Sequence, residues 1–362
     1  MPPDYFAKTS EEGVFAIRNV KPGSYRLFAL TDKNQNLIYD LKDETVGFVS
    51  DAFNLIDSLN FIVPVTKQLP LTQSVKNYSI EDPAKLITTF SRPLLNPSFK
   101  FISGKTKNVL AEYSTFKDTV NLFCEPFGMD TIKIVWYENE IPFDTVQYKK
   151  TVDKFQKMQH LKKAAPWTSY PVQSSALKAE TNPSIKWSAP IIIFDTTLVA
   201  ILKDSLPFAA KIYFTDSLKT NLQAEGNWNE GNYTFVILPL AVTDMYDRIN
   251  DSVVVAFSVP GERTVGSISF KLQTQKSGSY ILQLVNEKDA VLRQRITNGK
   301  MEGLFEQVEP GTFRLRIVYD ENGNGRWDSG DYRKGIQPEV IEYNMEVITV
   351  RANWEVEVDW IQ

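Results

Sequence analysis

The chain has 362 residues, 43% apolar and 23% charged, with a net charge of −4 and a rich supply of aromatics: 22 Phe, 15 Tyr and 7 Trp. That length suits about two to four domains, and the composition excludes a disordered chain. The charge gives the whole molecule no reason to seek nucleic acid or anionic lipid, and a single Cys with a single His excludes a Cys₄ or Cys₂His₂ zinc site.

Period-two alternation dominates from the first residues onward, broken by Gly, Pro, Asn and Asp clusters; this is the grammar of all-β proteins. Tyr5-Phe6-Ala7, a turn at Ser10 to Gly13, and Val14 to Ile17 read as a hairpin. Lys21-Pro22-Gly23 reads as a type II turn and Ser24 to Thr31 as a strand with Tyr25, Leu27 and Ala29 on one face. Further strands are expected at Leu86 to Phe90, Thr119 to Phe123 and Thr131 to Tyr137. A second set falls at Pro190 to Phe194, Lys211 to Phe214, Tyr233 to Leu238 and Val253 to Val259. Cys124 continues the alternation of Val120 and Leu122 and reads as a small buried hydrophobe. Between the two sets, Tyr148 to Ser175 is rich in Lys, Pro and Ser and contains His160; it reads as a solvated linker, with a short helix as the alternative.

The order of turns and strands near the N-terminus recurs near the C-terminus. Val308-Glu309-Pro310-Gly311-Thr312-Phe313-Arg314-Leu315 matches Val20-Lys21-Pro22-Gly23-Ser24-Tyr25-Arg26-Leu27. Without a gap, Asp320, Asn322, Asn324, Trp327, Asp328 and Asp331 then fall on Asp32, Asn34, Asn36, Tyr39, Asp40 and Asp43. Identities in register across a turn mark one repeated domain type. The C-terminal copy opens near Gly266. It closes on one half-buried strand whose inward positions are Ile348, Val350, Ala352, Trp354, Val356, Val358 and Trp360. The N-terminal copy has no counterpart of the opening strands, so the chain is expected to be an N-terminally truncated piece of a longer protein. Its longest apolar run, Pro190 to Phe194, is far too short for a membrane span.

Asp320 to Asp331 has the spacing of an oxygen-ligand cation loop. Asp320, Asn322 and Asn324 take alternating positions, Gly325 the sharp turn, Arg326 a backbone carbonyl, Asp328 a ligand through water and Asp331 the closing carboxylate. A calcium ion held there would be structural, with a dissociation constant of about 10⁻⁴ to 10⁻³ M. The competing reading is a polar connection held by Asx turns. In the N-terminal copy Leu37 replaces the turn glycine, which argues against metal there.

Glu309 to Asp328, with Val350 to Glu357, resembles the transthyretin-like, carboxypeptidase-regulatory-type sandwich, and Asp4 to Thr9 with Lys21 to Leu27 resembles a second such module. Gly231 to Pro239, with Thr243 to Asp247, is similar to bacterial Ig-like domains. Together they resemble an Ig-like-domain envelope lipoprotein family of Gram-negative bacteria, a likeness that covers nearly the full length. The resemblance implies tandem β-sandwich domains: residues 1–66 a partial transthyretin-like sandwich, 67–148 Ig-like, 149–175 the linker, 176–262 bacterial Ig-like and 263–362 transthyretin-like. It also implies an outer-membrane-associated, periplasmic or surface location, with membrane contact only through a lipid anchor outside this sequence.

Asp followed by Ser or Thr recurs at Asp57, Asp118, Asp130, Asp144, Asp195, Asp204, Asp216 and Asp251. The triplet resembles an O-glycosylation motif of Gram-negative envelope proteins, or reflects Asp in a turn before a strand. The expected function is a non-enzymatic surface protein, rod-like, acting as spacer, scaffold or binding module for a protein or glycan. The alternative is an accessory glycan-binding part of a polysaccharide-utilisation or secretion system, with Trp228 as the stacking aromatic. No catalytic residue, nucleic-acid partner or required cofactor is expected.

Overall fold

The structure is a computed structural model. It describes residues 3–40, 43–81, 84–103, 108–124, 131–149, 163–178, 180–261, 264–274 and 278–361. These residues form strands, with short 3-10 turns at Thr196–Leu198 and Tyr332–Lys334, so the protein is an all-β string of sandwich-type sheets. Among the described residues no helix is long and apolar enough to cross a membrane. His160 and the basic run around it lie outside the described residues.

The strands gather into four groups along the chain. In the first, Gly23–Tyr25 pairs with Phe53–Leu55, while Phe28–Leu30, Thr45–Phe48 and Thr66–Lys67 form a second small sheet. The second group has a four-stranded sheet, Val75–Glu81, Lys85–Phe90, Thr119–Phe123 and Leu110–Tyr113 in spatial order. Its three-stranded partner is Ile141–Lys149, Thr131–Glu138 and Pro97–Ser103. Alternate residues of both sheets (Leu86, Val120, Leu122, Ile132, Ile134 and Trp136) meet in one buried cluster with Cys124.

The third group is built on the central pair Gly231–Ile237 and Val253–Val259, whose alternate residues Tyr233, Phe235, Ile237, Val255 and Phe257 fill a second cluster. The fourth has Met301–Val308, Gly266–Gln273 and Glu355–Ile361 in one sheet, the last two parallel. Its other sheet centres on Gly311–Asp320, flanked by Ser279–Asn286 and by Ile341–Tyr343 and Ile348–Val350. Val291–Thr297 adds to the outer edge of Ser279–Asn286. The inner faces of these sheets share a third cluster, which includes Ile268, Leu282, Leu315, Ile317 and Val358.

Three readings of the sequence need correction. Tyr5–Ala7 and Val14–Ile17 flank a real turn, with the Ser10 N–H donating to the Val14 carbonyl at 2.8 Å, but they form no ladder and are not strands. The closing strand is interrupted at Arg351–Trp354, where the chain crosses between sheets; Ile348–Val350 pairs with Gly311–Asp320, and Glu355–Ile361 with Gly266–Gln273. Alternation survives the crossing, which is why the sequence reads as continuous, yet Trp354 is left exposed. Gly266 makes the crossing fit, since a Cβ there would lie 2.4 Å from the Arg351 carbonyl oxygen.

The third correction concerns the linker. The end of residues 149–175 is sheet: Lys163–Ala164, Pro166–Tyr170 and the start of Ser175–Ala176 pair with strands of the third group. Pro166–Tyr170 lies at a sheet edge, where a missing N–H is tolerated, so its Pro and Ser content disguised it.

The groups also touch one another. Lys186 of the third pairs with Glu112 of the second and donates to Thr220 Oγ1 at 2.7 Å. Tyr246 of the third packs on the second group's cluster, and Arg295 of the fourth pairs with Glu180. The first and last groups meet as well, so the chain ends are not held at opposite ends of a rod.

Within the second group a half-buried bidentate pair joins Arg92 to Glu138, at 2.8 and 2.6 Å, and the Leu95 N–H adds a third bond to the same carboxylate at 2.9 Å. Burial opposes ionisation of Glu138, but Arg92 and the Leu95 N–H outweigh it and hold its pKa below the ordinary 4.5. A depressed carboxylate pKa contributes stability above the unfolded value, which is lost as pH falls through the folded one. Urea unfolding should therefore show the second group weakening below about pH 4.5. Glu138→Gln should cost about 2 kcal/mol at pH 7, because both partners still meet some solvent, and should flatten that acid dependence.

Candidate cation loop

The connection after Gly311–Asp320 is held by its own side chains. Asp320, 1% exposed, accepts the Asn324 N–H at 3.0 Å and the Gly325 N–H at 2.8 Å on its two carboxylate oxygens. Asn322 Oδ1 also accepts from the Asn324 N–H, at 3.0 Å, and Asn324 Oδ1 accepts the Arg326 N–H at 3.0 Å. Both asparagine amides donate to Asp328 Oδ2 at 2.5 Å. The Arg326 side chain lies 3.5 Å from the other Asp328 oxygen. Asp320, Asn322, Asn324 and Asp328 are thus brought together, with their oxygens directed at N–H groups of the loop itself.

Asp331 is not part of that set. It caps the 3-10 turn Tyr332–Lys334, accepting the Arg333 N–H at 3.1 Å and pairing with Lys334 at 3.2 Å. Burial opposes its ionisation, but the bonds from Lys334 and Arg333 prevail and lower its pKa. Among the described residues no group of three or more His, Cys, Asp or Glu is placed to hold a metal ion.

The N-terminal copy repeats most of these bonds. Asp32 accepts the N–H groups of Asn36 at 3.1 Å and Leu37 at 2.9 Å. Asn34 and Asn36 donate to Asp40 at 3.1 and 2.7 Å, and Asn36 Oδ1 accepts the Ile38 N–H at 2.8 Å. Backbone conformation matches too: Gln35 and Leu37 both have φ of 59°, where Gly323 has 68° and Gly325 76°. Leu37 therefore does the work assigned to the turn glycine, at a steric cost that glycine avoids. Gln35→Gly, at an exposed position, should raise the stability of the first group by about 0.5–1 kcal/mol in chemical denaturation.

Sequence reasoning missed a buried glutamate in each copy. Glu44, fully buried, accepts the Lys33 N–H at 3.0 Å and the Asp40 N–H at 3.1 Å. Glu339, 7% exposed, accepts the Glu321 N–H at 3.0 Å and the Asp328 N–H at 2.9 Å. Each carboxylate staples the two ends of its loop. Their equivalence was hidden because Glu44 lies 4 residues beyond Asp40, whereas Glu339 lies 11 beyond Asp328. The ungapped alignment therefore fails after Asp328, and Asp331 is not the counterpart of Asp43. Burial, and then the neighbouring Asp328 and Asp320 charges, raise the Glu339 pKa against the backbone bonds that lower it.

The extra residues in the C-terminal copy carry Tyr332, whose ring meets Phe28 and Tyr39 edge-on with centroids 5.8 Å away and Phe48 at 5.6 Å. Around it Thr66 Oγ1 donates to the Ser329 carbonyl at 2.9 Å, the Tyr332 N–H to Gln68 at 2.8 Å and Gln337 to the Phe48 carbonyl at 2.7 Å. This is the contact that joins the first and last groups.

Trp228 is not a free stacking surface. Its ring stacks on Phe208 at 5.2 Å, meets Tyr233 and Phe257 edge-on, and donates its indole N–H to Asn182 at 2.9 Å. Two of the Asp-Ser/Thr positions show turn chemistry, Asp195 capping a 3-10 turn and Asp216 accepting from Thr220 and Asn221, whereas Asp144 lies inside the strand Ile141–Lys149 and accepts the Thr145 N–H at 2.7 Å. Asp130 lies outside the described residues.

No protein-family model matches the chain, and no curated protein sequence matches it. Among solved structures it is similar to dimeric latent PorU from Porphyromonas gingivalis, at 8% identity over 84% of this chain and 36% of that one, with a TM-score of 0.25. It is similar to domains 1–6 of the surface layer protein SbsC, at 12% identity over 78% and 41%, with a TM-score of 0.24. It is also similar to BcpA, the major pilin subunit of Bacillus cereus, at 10% identity over 74% and 95%, with a TM-score of 0.17. The chain spans about a third of the PorU structure.

Proposed function

We propose that this chain is a non-enzymatic scaffold or spacer of a bacterial cell envelope, a set of sandwiches presented in a fixed arrangement to a protein or glycan partner. The observation that carries the reading is the use of side chains at the junctions. Tyr332 with its polar ring of contacts ties the first group to the fourth, Lys186 and Tyr246 tie the third to the second, and Arg295 ties the fourth to the third. In this reading the four strand groups mark the units, membrane contact comes only through a lipid anchor, and the oxygen-rich loops act as internal clasps that need no cation.

Small-angle scattering on the full chain tests it. A single compact distance distribution, unchanged between low and moderate salt, is expected. A distribution stretched to the length of sandwiches placed end to end would contradict the fixed arrangement. Turnover of glycans or peptides that a single Asp or Glu substitution abolishes would contradict the non-enzymatic part.

A further inference from the structure

The three-stranded sheet of the second group has one face in the core and the other in solvent. Ile132, Ile134 and Trp136 of its central strand point inward, with Phe101 and Val146 beside them. Alternation therefore turns Lys133 outward, together with Lys100 of Pro97–Ser103 and Lys149 of Ile141–Lys149. Lys100 lies opposite Val135, Lys133 opposite Gln147 and Lys149 opposite Thr131. Each step from one lysine to the next is one strand across and two residues along, always in the same direction. The three lysines thus form a straight diagonal across the sheet, with successive Cα positions about 8 Å apart.

Among the described residues no carboxylate pairs with Lys100, Lys133 or Lys149, and the face they cross carries no acid. The carboxylates near it are engaged elsewhere. Glu138 is held by Arg92, and Asp144 accepts the N–H groups of Val75 at 2.9 Å and Thr145. Glu140 stands in the hairpin turn beyond the strands. Lys100 Nζ sits over the Tyr137 ring, 5.1 Å from its centroid, which holds that ammonium in place. In a chain with a net charge of −4, this uncompensated basic line is a local exception, and such a line attracts an anion whose charges repeat along its length.

We propose that this face of the second group binds a linear carboxylated polysaccharide laid along the lysine diagonal. The proposal rests on the scaffold reading, to which it gives a partner class and a place. An open sheet face suits an extended chain of sugar rings, and Thr145 and Gln147 on the same face offer a hydroxyl and an amide to sugar hydroxyls. A lysine ammonium is a compact point charge with three rotatable donors, so it meets a carboxylate in many orientations. Nucleic acid fits less well. Its phosphates follow at about 3.4 Å along a strand, and single strands need several stacking aromatics, where this face offers Tyr137 already covered by Lys100. An anionic membrane is read by clusters of about 4–8 basic residues, more than this line supplies.

Calorimetry of the full chain with polygalacturonate oligosaccharides tests it, with dextran as the neutral control. Polygalacturonate alone should bind, and its affinity should fall about fivefold between about 50 and 200 mM salt. The triple variant Lys100→Gln, Lys133→Gln, Lys149→Gln should lose about tenfold in affinity with an unchanged melting temperature, since none of the three side chains holds an ion pair. Lys271→Gln, Lys288→Gln, Lys300→Gln makes the same charge change at exposed positions of the fourth group and should leave the affinity unchanged. Equal binding of dextran, equal losses in the two triple variants, or tighter lysine-dependent binding of single-stranded DNA or of phosphatidylglycerol vesicles would each overturn the proposal. No binding by a chain whose scattering is compact, as expected above, would overturn it and leave the scaffold reading in place.

Discussion

Asp320→Ala is expected to destabilise the C-terminal sandwich by about 2 kcal/mol: the Gly325 N–H loses its buried charged acceptor, at about 1–3 kcal/mol, while the Asn324 N–H keeps its second acceptor, Asn322 Oδ1. Asp320 is 1% exposed and Gly325 half-buried, whereas Asn324 is exposed, so the cost falls mainly on the Gly325 amide. Glu339→Gln should cost about 2 kcal/mol, although it removes a buried charge that already resists ionisation. A glutamine offers one acceptor oxygen, and its amide group would face a second N–H, from Glu321 or Asp328, with nothing to accept. The matching change Asp32→Ala should cost less, about 1 kcal/mol, because Asp32 is only half-buried. Denaturant unfolding with tryptophan emission checks the series. Equal and negligible losses at Asp320 and Asp32 would show that the loops are not clasps.

Tyr332→Ala is expected to release the first strand group from the last. Three ring contacts, each worth about 0.5–1.5 kcal/mol beyond the area they bury, disappear together. The bonds from Thr66, Gln68 and Gln337 remain, but they are part-buried polar contacts whose net value is about 1 kcal/mol apiece. The first group rests on its neighbour, because the three large buried clusters all lie outside it. Hydrogen exchange should therefore quicken across Thr45–Phe48 in the variant and stay unchanged across Gly231–Ile237. Asp331→Ala should produce a weaker form of the same effect by uncapping the turn that presents Tyr332. Unchanged exchange at Thr45–Phe48 in Tyr332→Ala would show that the contact does not hold the ends together.

Much of the fold was legible from alternation, since one residue in two facing the core dictates both the strand and its inward face. Thr119–Phe123, Lys211–Phe214 and Val253–Val259 fall where that pattern puts them. The pattern misleads where pairing rather than periodicity decides. Val14 to Ile17 alternates but has no partner strand, and Ala352 keeps the rhythm across a crossing where the backbone has left both sheets.

The loop was legible as a repeated set of Asp and Asn, because short polar side chains bond locally and so keep fixed spacing. Glu44 and Glu339 were not, because each acts across the loop from a position that the inserted residues shift. The same insertion hid Tyr332, an aromatic whose partners lie near the other end of the chain. Asp331, which the spacing places as the closing carboxylate, caps the 3-10 turn Tyr332–Lys334.

The central claim is that the oxygen-rich connections bind the protein's own backbone and stiffen a scaffold. Calorimetric melting of the full chain in millimolar calcium and in chelator tests it most directly, with Asp320→Ala alongside. The account predicts the same melting profile for the native chain in both buffers and a lower, equally calcium-independent profile for the variant. A calcium-dependent rise in the melting of the native chain that Asp320→Ala abolishes would contradict it.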